Sequence, residues 1–327
     1  MKDVPDLVYY PDTRPGITRR RAGRGWSYTA PDGTRIDDRA ERRRLDALAV
    51  PPAYGDVWIC PRADGHLQAT GRDDRDRKQY RYHAAWTAFR ARRKFDDLAG
   101  FGAALPAIRR RIRRDLQGAA GDRAVATAAV LAMIDRLSLR VGNRDYAEEN
   151  GTYGATTLRP RHVQLGPDAL KLRYPGKGGA TIKRSLRDKR LAQVLHQLDD
   201  LPCATLVTWL DDAGAAHEVT SSQVNELLHD ITGQDGFTAK TFRTWNGTTA
   251  AMEIALKEDR LTIKAMAEAA ANRLGNTPTI ARNSYIHPEV IALTDRDADD
   301  RAALADAAPD RRGLRIAERA VLHLLTG

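Results

Sequence analysis

GRDDRDRKQYRYHAAWTAFRARRKFDDLAGF, residues 71–101, is where one kind of sequence gives way to another. Its first nine residues, GRDDRDRKQ, are charged and polar with almost nothing to bury, and read as a hinge over about 71–80. From Tyr80 onward the apolar residues recur at helical spacing, and YHAAWTAFRARRKFDDLAGF (82–101) predicts a helix. N-terminal to the hinge the pattern is of short strands and turns. WSYTAPDGTRI (26–36) is two strand-like pieces around Pro31-Asp32-Gly33, and DVWICPRADGHLQATG (56–71) is a second pair turning at Asp64-Gly65. Between them DDRAERRRLDALAV (37–50) predicts a short helix stopped by Pro51 and Pro52.

C-terminal to the hinge, AIRRRIRRDLQ (107–117) reads as a helix with Pro106 in its first turn, and AVATAAVLAMIDRLSLR (124–140) is apolar nearly all round, as a central buried helix would be. TLRPRHVQLGPDALKLRYPGKGGATIKRSL (157–186) predicts a small sheet turning at Gly166-Pro167 and at Gly176 to Gly179. Helical patterns resume in SSQVNELLHDI, TTAAMEIALK, TIKAMAEAAANRL and LRIAERAVLHLL. The expectation is an α+β protein: a small β-rich N-terminal domain (1–77) and a larger, mainly α-helical domain (78–327) carrying a small β-sheet and hairpin. A chain of 327 residues is long enough for two such cores.

Charge is unevenly spread. The chain has 53 Lys and Arg against 43 Asp and Glu, and the whole surplus of ten lies in residues 1–120. Residues 72–114 hold 14 basic and 5 acidic side chains, including Arg72, Arg75, Arg77 and Lys78, with Tyr80, Tyr82, His83, Trp86 and Phe89 interleaved. Clustered cations among aromatic rings suit a polyphosphate such as nucleic acid, because each neutralises a phosphate and releases a counterion. A solvated helix face explains the arginines but not their one-sided placement. No lipid-facing apolar stripe accompanies the charges, which argues against a membrane surface.

Other chemistry is missing. Cys60 and Cys203 are the only cysteines, too few for a disulfide framework or a cysteine zinc site. MKDVPDLVYYPDTRPG has no continuous apolar core of the secretory kind, and nowhere do 18 apolar residues run together, so a cytoplasmic protein is expected. The eight histidines have no metal-binding spacing, and the GKGG at 176–179 lacks the leading glycine and following hydroxyl of a phosphate loop for ATP. No cofactor is expected; phosphate chemistry here would draw its electrostatic stabilisation from side-chain cations.

Four segments can supply them. In LRVGNRDYAEENGTYGATTL (139–158), Arg140 leaves a buried helix and meets a Val141-Gly142-Asn143 turn. RYPGKGGATIK (173–183) puts Lys177 at a glycine-rich hairpin tip that can approach a ligand closely. In TAKTFRTWNGTTAAMEIAL (238–256), Lys240 and Arg243 share a face near a helix start. AAANRLGNTPTIARNSYIHP (269–288) is a helix ended by Gly275, then Asn276, a short turn segment and Tyr285.

In this order the four segments resemble the active site of the type IB DNA topoisomerases, the small poxvirus-like enzymes and their bacterial relatives. The resemblance extends over nearly the whole chain, through GRDDRDRKQYRYH and the KF…FG..LP.IR…L pattern at 94–116, and is most specific in the RVGN…YAEENGTYGATTL block. It implies Tyr285 as nucleophile on a DNA phosphodiester, giving a 3′-phosphotyrosyl bond and a free 5′-hydroxyl. Arg140 and Arg243 would hold the nonbridging oxygens, with Lys177 as proton donor to the departing 5′-oxygen. Where the poxvirus pattern has histidine, nine residues before the nucleophile, this chain has Asn276, which serves either as an amide donor or as a plain turn residue after Gly275. Tyr146 would touch DNA near the scissile step. Tyr80 and Tyr82 either contact DNA or pack under the hinge, and Trp86 and Trp245 are expected in the core. The implied whole is a monomeric two-lobed clamp on double-stranded DNA, associated with the bacterial nucleoid, that relaxes both supercoil signs without ATP or metal. A tyrosine site-specific recombinase and a non-catalytic DNA-binding clamp are the alternatives.

Overall fold

The computed structural model describes residues 5–201 and 203–327, the side chain of Arg92 excepted. Two compact units divide after Lys94, within a helix. The first is a five-stranded antiparallel sheet in the order β2-β1-β3-β4-β5, built from β1 (Ile17–Ala22), β2 (Gly25–Thr29), β3 (Gly55–Ile59), β4 (Leu67–Arg72) and β5 (Lys78–Tyr82). Ile17, Tyr28, Ile59 and Ala69 bury one face against Leu45 of α1 (Arg39–Ala47), and the Asp38 carboxylate caps that helix by accepting from the Glu41 N–H.

Two expectations change here. The stretch 71–79 is not a hinge: it closes a β4–β5 hairpin, with Arg72 paired across from Lys78. Its charges are used inside the turn, where Asp73 accepts from Arg77 at 2.9 Å and Arg72 reaches Asp76 at 3.2 Å. Likewise β2 pairs along its length with β1, and the Pro31-Asp32-Gly33 turn closes only a single bridge between Thr29 and Arg35. ITRRRA conceals β1, because a run of three arginines does not read as a strand; Arg20 and Arg21 are exposed, while half-buried Arg19 donates to Val50 O at 2.7 Å and lies over the Trp26 ring, 4.0 Å from its centroid.

Helix α2 (Ala84–Asp96) leads into the second unit, where α3 (Leu98–Asp115) is a separate helix begun at Asp97. The single helix expected over 82–101 is therefore two. Pro106 lies within α3 rather than in its first turn, because the apolar pattern of 107–117 continues one already running from Leu98. α4 (Arg123–Leu137) is buried on every side, as its sequence requires. After α5 (Arg144–Asn150) come β6 (Val163–Leu165), β7 (Ala169–Pro175) and β8 (Thr181–Arg187), an antiparallel three-stranded sheet turning where the glycines fall. α6 (Lys189–Asp199), a two-stranded ribbon of β9 (Thr208–Leu210) and β10 (Ala216–Glu218), and α7 (Ser221–Thr232) follow.

α8 (Ala239–Ala255) starts well before the TTAAMEIALK pattern, and α9 (Ile263–Leu274) ends at the left-handed Gly275. The segment between Asn276 and Tyr285 is not a loose turn but α10 (Pro278–Tyr285). Thr277 caps it and Pro278 fills the first position, where its missing N–H costs nothing. α11 (Pro288–Ile291), α12 (Ala298–Ala307) and α13 (Ile316–Thr326) complete the chain. The α+β architecture is thus as expected: a small β-rich region followed by a mainly helical domain with small sheets. Among the described residues no helix is long and apolar enough to cross a membrane.

α13 is tied to the core by ions as well as by packing. The Arg109 guanidinium donates to Asp135 at 2.9 Å and to Glu318 at 2.8 Å, and Glu318 also receives Arg315 at 2.9 Å. Burial would raise the Glu318 pKa, but these guanidinium groups hold it down at about 2.

Candidate active site

The site starts where α4 stops. Ser138 takes a left-handed conformation (φ 56) and is buried, and Asn246 on α8 fixes the turn by donating to Asp135 O and to Ser138 Oγ, both at 3.0 Å. The chain then runs beside residues 154–156, with Ala155 N donating to Arg140 O at 2.8 Å and Thr156 N to Val141 O at 2.7 Å. The backbones come so close that a Cβ on Gly154 would lie 2.5 Å from Gly142 N. Hence the two glycines of the RVGN…TYG block: they let one strand of chain clasp the other and so aim Arg140. Among the described residues no side-chain hydrogen bond engages the Arg140 guanidinium.

α8 supplies the second cation and holds the phenol. Arg243, only 4% exposed, donates through Nη1 to Ser138 O at 2.6 Å and through Nη2 to Leu274 O at 3.0 Å. Its buried Nε has no partner. Desolvation, reinforced by the Arg140 charge, pushes its pKa down to about 10, so it stays protonated at neutral pH. One turn along the same helix, Thr248 Oγ1 donates to Tyr285 O at 3.1 Å and accepts from His287 N at 3.1 Å. Tyr285 is the last residue of α10, and its ring centroid lies 5.2 Å from Arg243 Cζ. Burial opposes ionisation of this phenol, but the charge and hydrogen bond of Arg243, with Arg140 and Lys240 behind it, outweigh burial and lower its pKa.

Lys177 stands at the β7–β8 tip, exposed, with Gly178 and Gly179 both at positive φ. It lines one narrow cleft together with Arg140, Arg243, Ser138, Tyr153, Tyr174 and Gly275. Next to Gly275, both amide atoms of Asn276 are buried without a hydrogen-bond partner. Such a pair of orphaned polar atoms is unfavourable unless something else fills the site.

The structure therefore brings Arg140, Lys177 and Arg243 to one cleft, with Tyr285 against Arg243. The other candidates divide. Lys240 and Tyr146 are exposed on α8 and α5. In the first unit, Arg72, Arg77 and Lys78 are each paired with an aspartate, whereas Arg75 is exposed. Tyr80 and Tyr82 are exposed and stacked, centroids 6.1 Å apart. Trp245 is fully buried, Trp86 only half so.

Sequence reasoning missed Asn246, Tyr174 and Arg184. It also missed the solvent face of the small sheet, where Lys171, Arg173 and Lys183 with Arg161 line a shallow basic depression. The alternation in ALKLRYP carries the signal for that face, but the zero net charge of 121–327 hid it.

The arrangement, a phenol made more acidic by fixed guanidinium groups beside a lysine and an unsatisfied amide, suits attack on a phosphodiester whose charge grows in the transition state. Comparison with known proteins points the same way. The sequence profile of the eukaryotic DNA topoisomerase I catalytic core matches residues 83–292, and that of the bacterial DNA topoisomerase IB N-terminal domain matches residues 25–73. The chain is 26% identical to DNA topoisomerase 1B of Acanthamoeba polyphaga mimivirus, over 83% of this chain and 85% of that one. It is 22% identical to DNA topoisomerase 1B of Vaccinia virus, over 79% and 83% of the two chains. To the mitochondrial DNA topoisomerase I of Rattus norvegicus it is 32% identical over 45% of this chain and 25% of the other. The core match spans well over half of the sequence and takes in Arg140, Lys177, Arg243, Asn276 and Tyr285, and by it this chain belongs to the type IB DNA topoisomerase family.

Proposed function

We propose that this enzyme relaxes positively and negatively supercoiled DNA by cutting one strand, letting it swivel about the other, and resealing it. The Tyr285 oxygen attacks the phosphorus of a backbone phosphodiester. An O–P bond to the phenol forms as the P–O5′ bond breaks, the phenolic proton leaves to water, and Lys177 Nζ gives a proton to the departing O5′. Arg140 and Arg243 take up the charge on the two nonbridging oxygens, a task for which a planar fork of donors is suited. The Asn276 amide donates to one of the same oxygens, which would satisfy a group that has no partner in the protein. Because the phosphotyrosyl bond conserves the energy of the bond broken, resealing needs no ATP. Arg75, Tyr80 and Tyr82 in the first unit, and Tyr146 and Lys240 in the second, contact the duplex; Arg72, Arg77 and Lys78 can do so only in exchange for their aspartates.

The observation that carries this reading is the gathering of Arg140, Lys177 and Arg243 at one cleft with the Tyr285 ring 5.2 Å from the Arg243 guanidinium. The test is supercoiled plasmid with no special site, in EDTA and without ATP. Relaxed topoisomers, and a protein–DNA adduct on denaturing gels joined to a 3′ end, are expected from the wild type. Tyr285→Phe should yield neither while still binding DNA. Recombinant products alone would favour a site-specific recombinase, and relaxation by the Phe variant would remove Tyr285 as nucleophile.

A further inference from the structure

We propose that Arg184 is a positioning residue that pins the Lys177 hairpin to the two helix ends gripped by Arg243. It sits on β8 directly across from Leu172 of β7, on the inward face with Ile182 and Leu186. From there Nε donates to Leu137 O at 3.3 Å, the last carbonyl of α4. Nη2 donates to Asn272 O at 3.2 Å and Arg273 O at 3.0 Å, near the end of α9, and Nη1 to Lys183 O at 2.9 Å on its own strand. Arg243 takes the next carbonyl on each helix, Ser138 O and Leu274 O. Two guanidinium groups thus hold the same pair of helix ends, one from α8 and one from the hairpin.

Carbonyls in a last helical turn have no intrahelical donor, so each contact satisfies a group that otherwise needs water. Lys177 has no such anchor; its tip turns on glycines. What fixes it relative to Arg140 and Arg243 is the base of the hairpin. The strand runs three residues from Leu172 to Pro175, about 10 Å at about 3.4 Å each, with Lys177 two residues further on in the turn, so a tilt of about 5–6° displaces the strand end by about 1 Å and carries the tip with it. A 1 Å misplacement of a reacting group costs up to about a hundredfold in rate.

This rests on Lys177 protonating the leaving oxygen, and the test separates the two claims. A duplex is used whose scissile step, mapped from the covalent adduct, carries sulfur in place of the bridging 5′-oxygen; a thiolate leaves without a proton. Full-length Arg184→Ala and Arg184→Lys proteins are compared with wild type in single-turnover cleavage of the oxygen and sulfur duplexes, alongside Lys177→Ala. Arg184→Ala should be slowed by about 10–100-fold on the oxygen duplex and stay within about threefold of wild type on the sulfur one. Arg184→Lys, which keeps the charge but loses the fork, should fall between and carries the comparison if the alanine protein does not fold. Equal losses on both duplexes, or no loss on either, overturn the positioning role while Lys177→Ala remains sulfur-rescued. Failure of sulfur to rescue Lys177→Ala overturns the proton-donor reading, and this inference with it.

Discussion

Replacing Gly247 by alanine adds one methyl group at the contact between α8 and the nucleophile. That carbon would lie 2.7 Å from Tyr285 O and 2.9 Å from Tyr285 Cβ. Carbon atoms settle at about 3.5–4.0 Å, so Tyr285 must retreat by about 0.6–1 Å from its place beside Arg243. The Thr248 hydrogen bond to Tyr285 O, 3.1 Å long, must stretch with it. A reacting atom displaced by about 1 Å loses up to about a hundredfold in rate, so single-turnover cleavage should fall by about 10–100-fold. Stability should change far less: overpacking costs about 1–3 kcal/mol, and alanine in place of helical glycine returns about 1 kcal/mol. DNA affinity should not change, because no cation is removed. The assay is accumulation of covalent adduct at saturating enzyme, with DNA binding and urea unfolding measured in parallel. A folded variant that forms adduct at the wild-type rate would show that α8 does not set the position of the phenol.

Four further substitutions test the site and the ion cluster that ties α13 to the core. Arg140→Ala and Arg243→Ala should each slow adduct formation by about 10²–10³-fold. Only Arg243→Ala should also unfold more easily, by about 1–3 kcal/mol in urea, since it strands Ser138 O and Leu274 O. Asn276→His should introduce a pH dependence absent from wild type, with cleavage rising as pH falls through about 6.5 and the imidazole gains a proton. The measurement is the single-turnover rate between pH 5.5 and 8 (a range chosen to bracket about 6.5). Glu318→Gln should cost about 3 kcal/mol at neutral pH by leaving the largely buried Arg109 guanidinium short of charge. The folded pKa of Glu318 lies below its unfolded value, so the wild-type advantage should be whole above about pH 5 and fade as pH falls toward about 2 in urea titrations.

What the sequence revealed, and what it withheld, follows from how locally each feature is determined. The β6–β8 sheet was legible because ALKLRYP alternates strictly and glycines mark the turn. α4 was legible because no face of it is polar. β1 was not, since a strand rich in arginine buries only Ile17 deeply. The charged run 71–79 looked like a linker because pairing between Asp73 and Arg77 leaves no trace in composition. Helix α10 did carry a signal, Thr277 followed by Pro278, a cap and a first-turn proline that the reading passed over. Arg140, Arg243 and Tyr285 were singled out by family resemblance, not by spacing: 145 residues separate the first from the last, and only the fold makes them neighbours. Arg184 also carried a signal that the reading passed over: in IKRSL it alternates in step with Ile182 and Leu186, which puts it on the apolar face of β8 and Lys183 on the other.

The way these cations are held bears on how the site can work. Arg140, Arg243 and Arg184 crowd a narrow cleft with Lys177, and such a cluster repels itself until an anion arrives. The usual solution for an anion is a helix N-terminus, whose N–H groups bind it directly. This protein uses the opposite ends. α4 and α9 both terminate at the cleft, and their last carbonyls, which carry the negative pole of each helix, hold Arg184 and Arg243 in place before any ligand binds. A guanidinium has five N–H donors, and Arg243 gives one to each helix end, leaving its buried Nε free of any protein partner. The positive charge is thereby anchored by dipoles that need not move during the reaction, while donors remain for the phosphate. Preorganisation of this kind is most effective where water is excluded. The same anchoring explains why the phenol's pKa is lowered despite burial: carbonyls hold Arg243, and Gly247 and Thr248 hold Tyr285 beside it, so the charge cannot drift away to solvent.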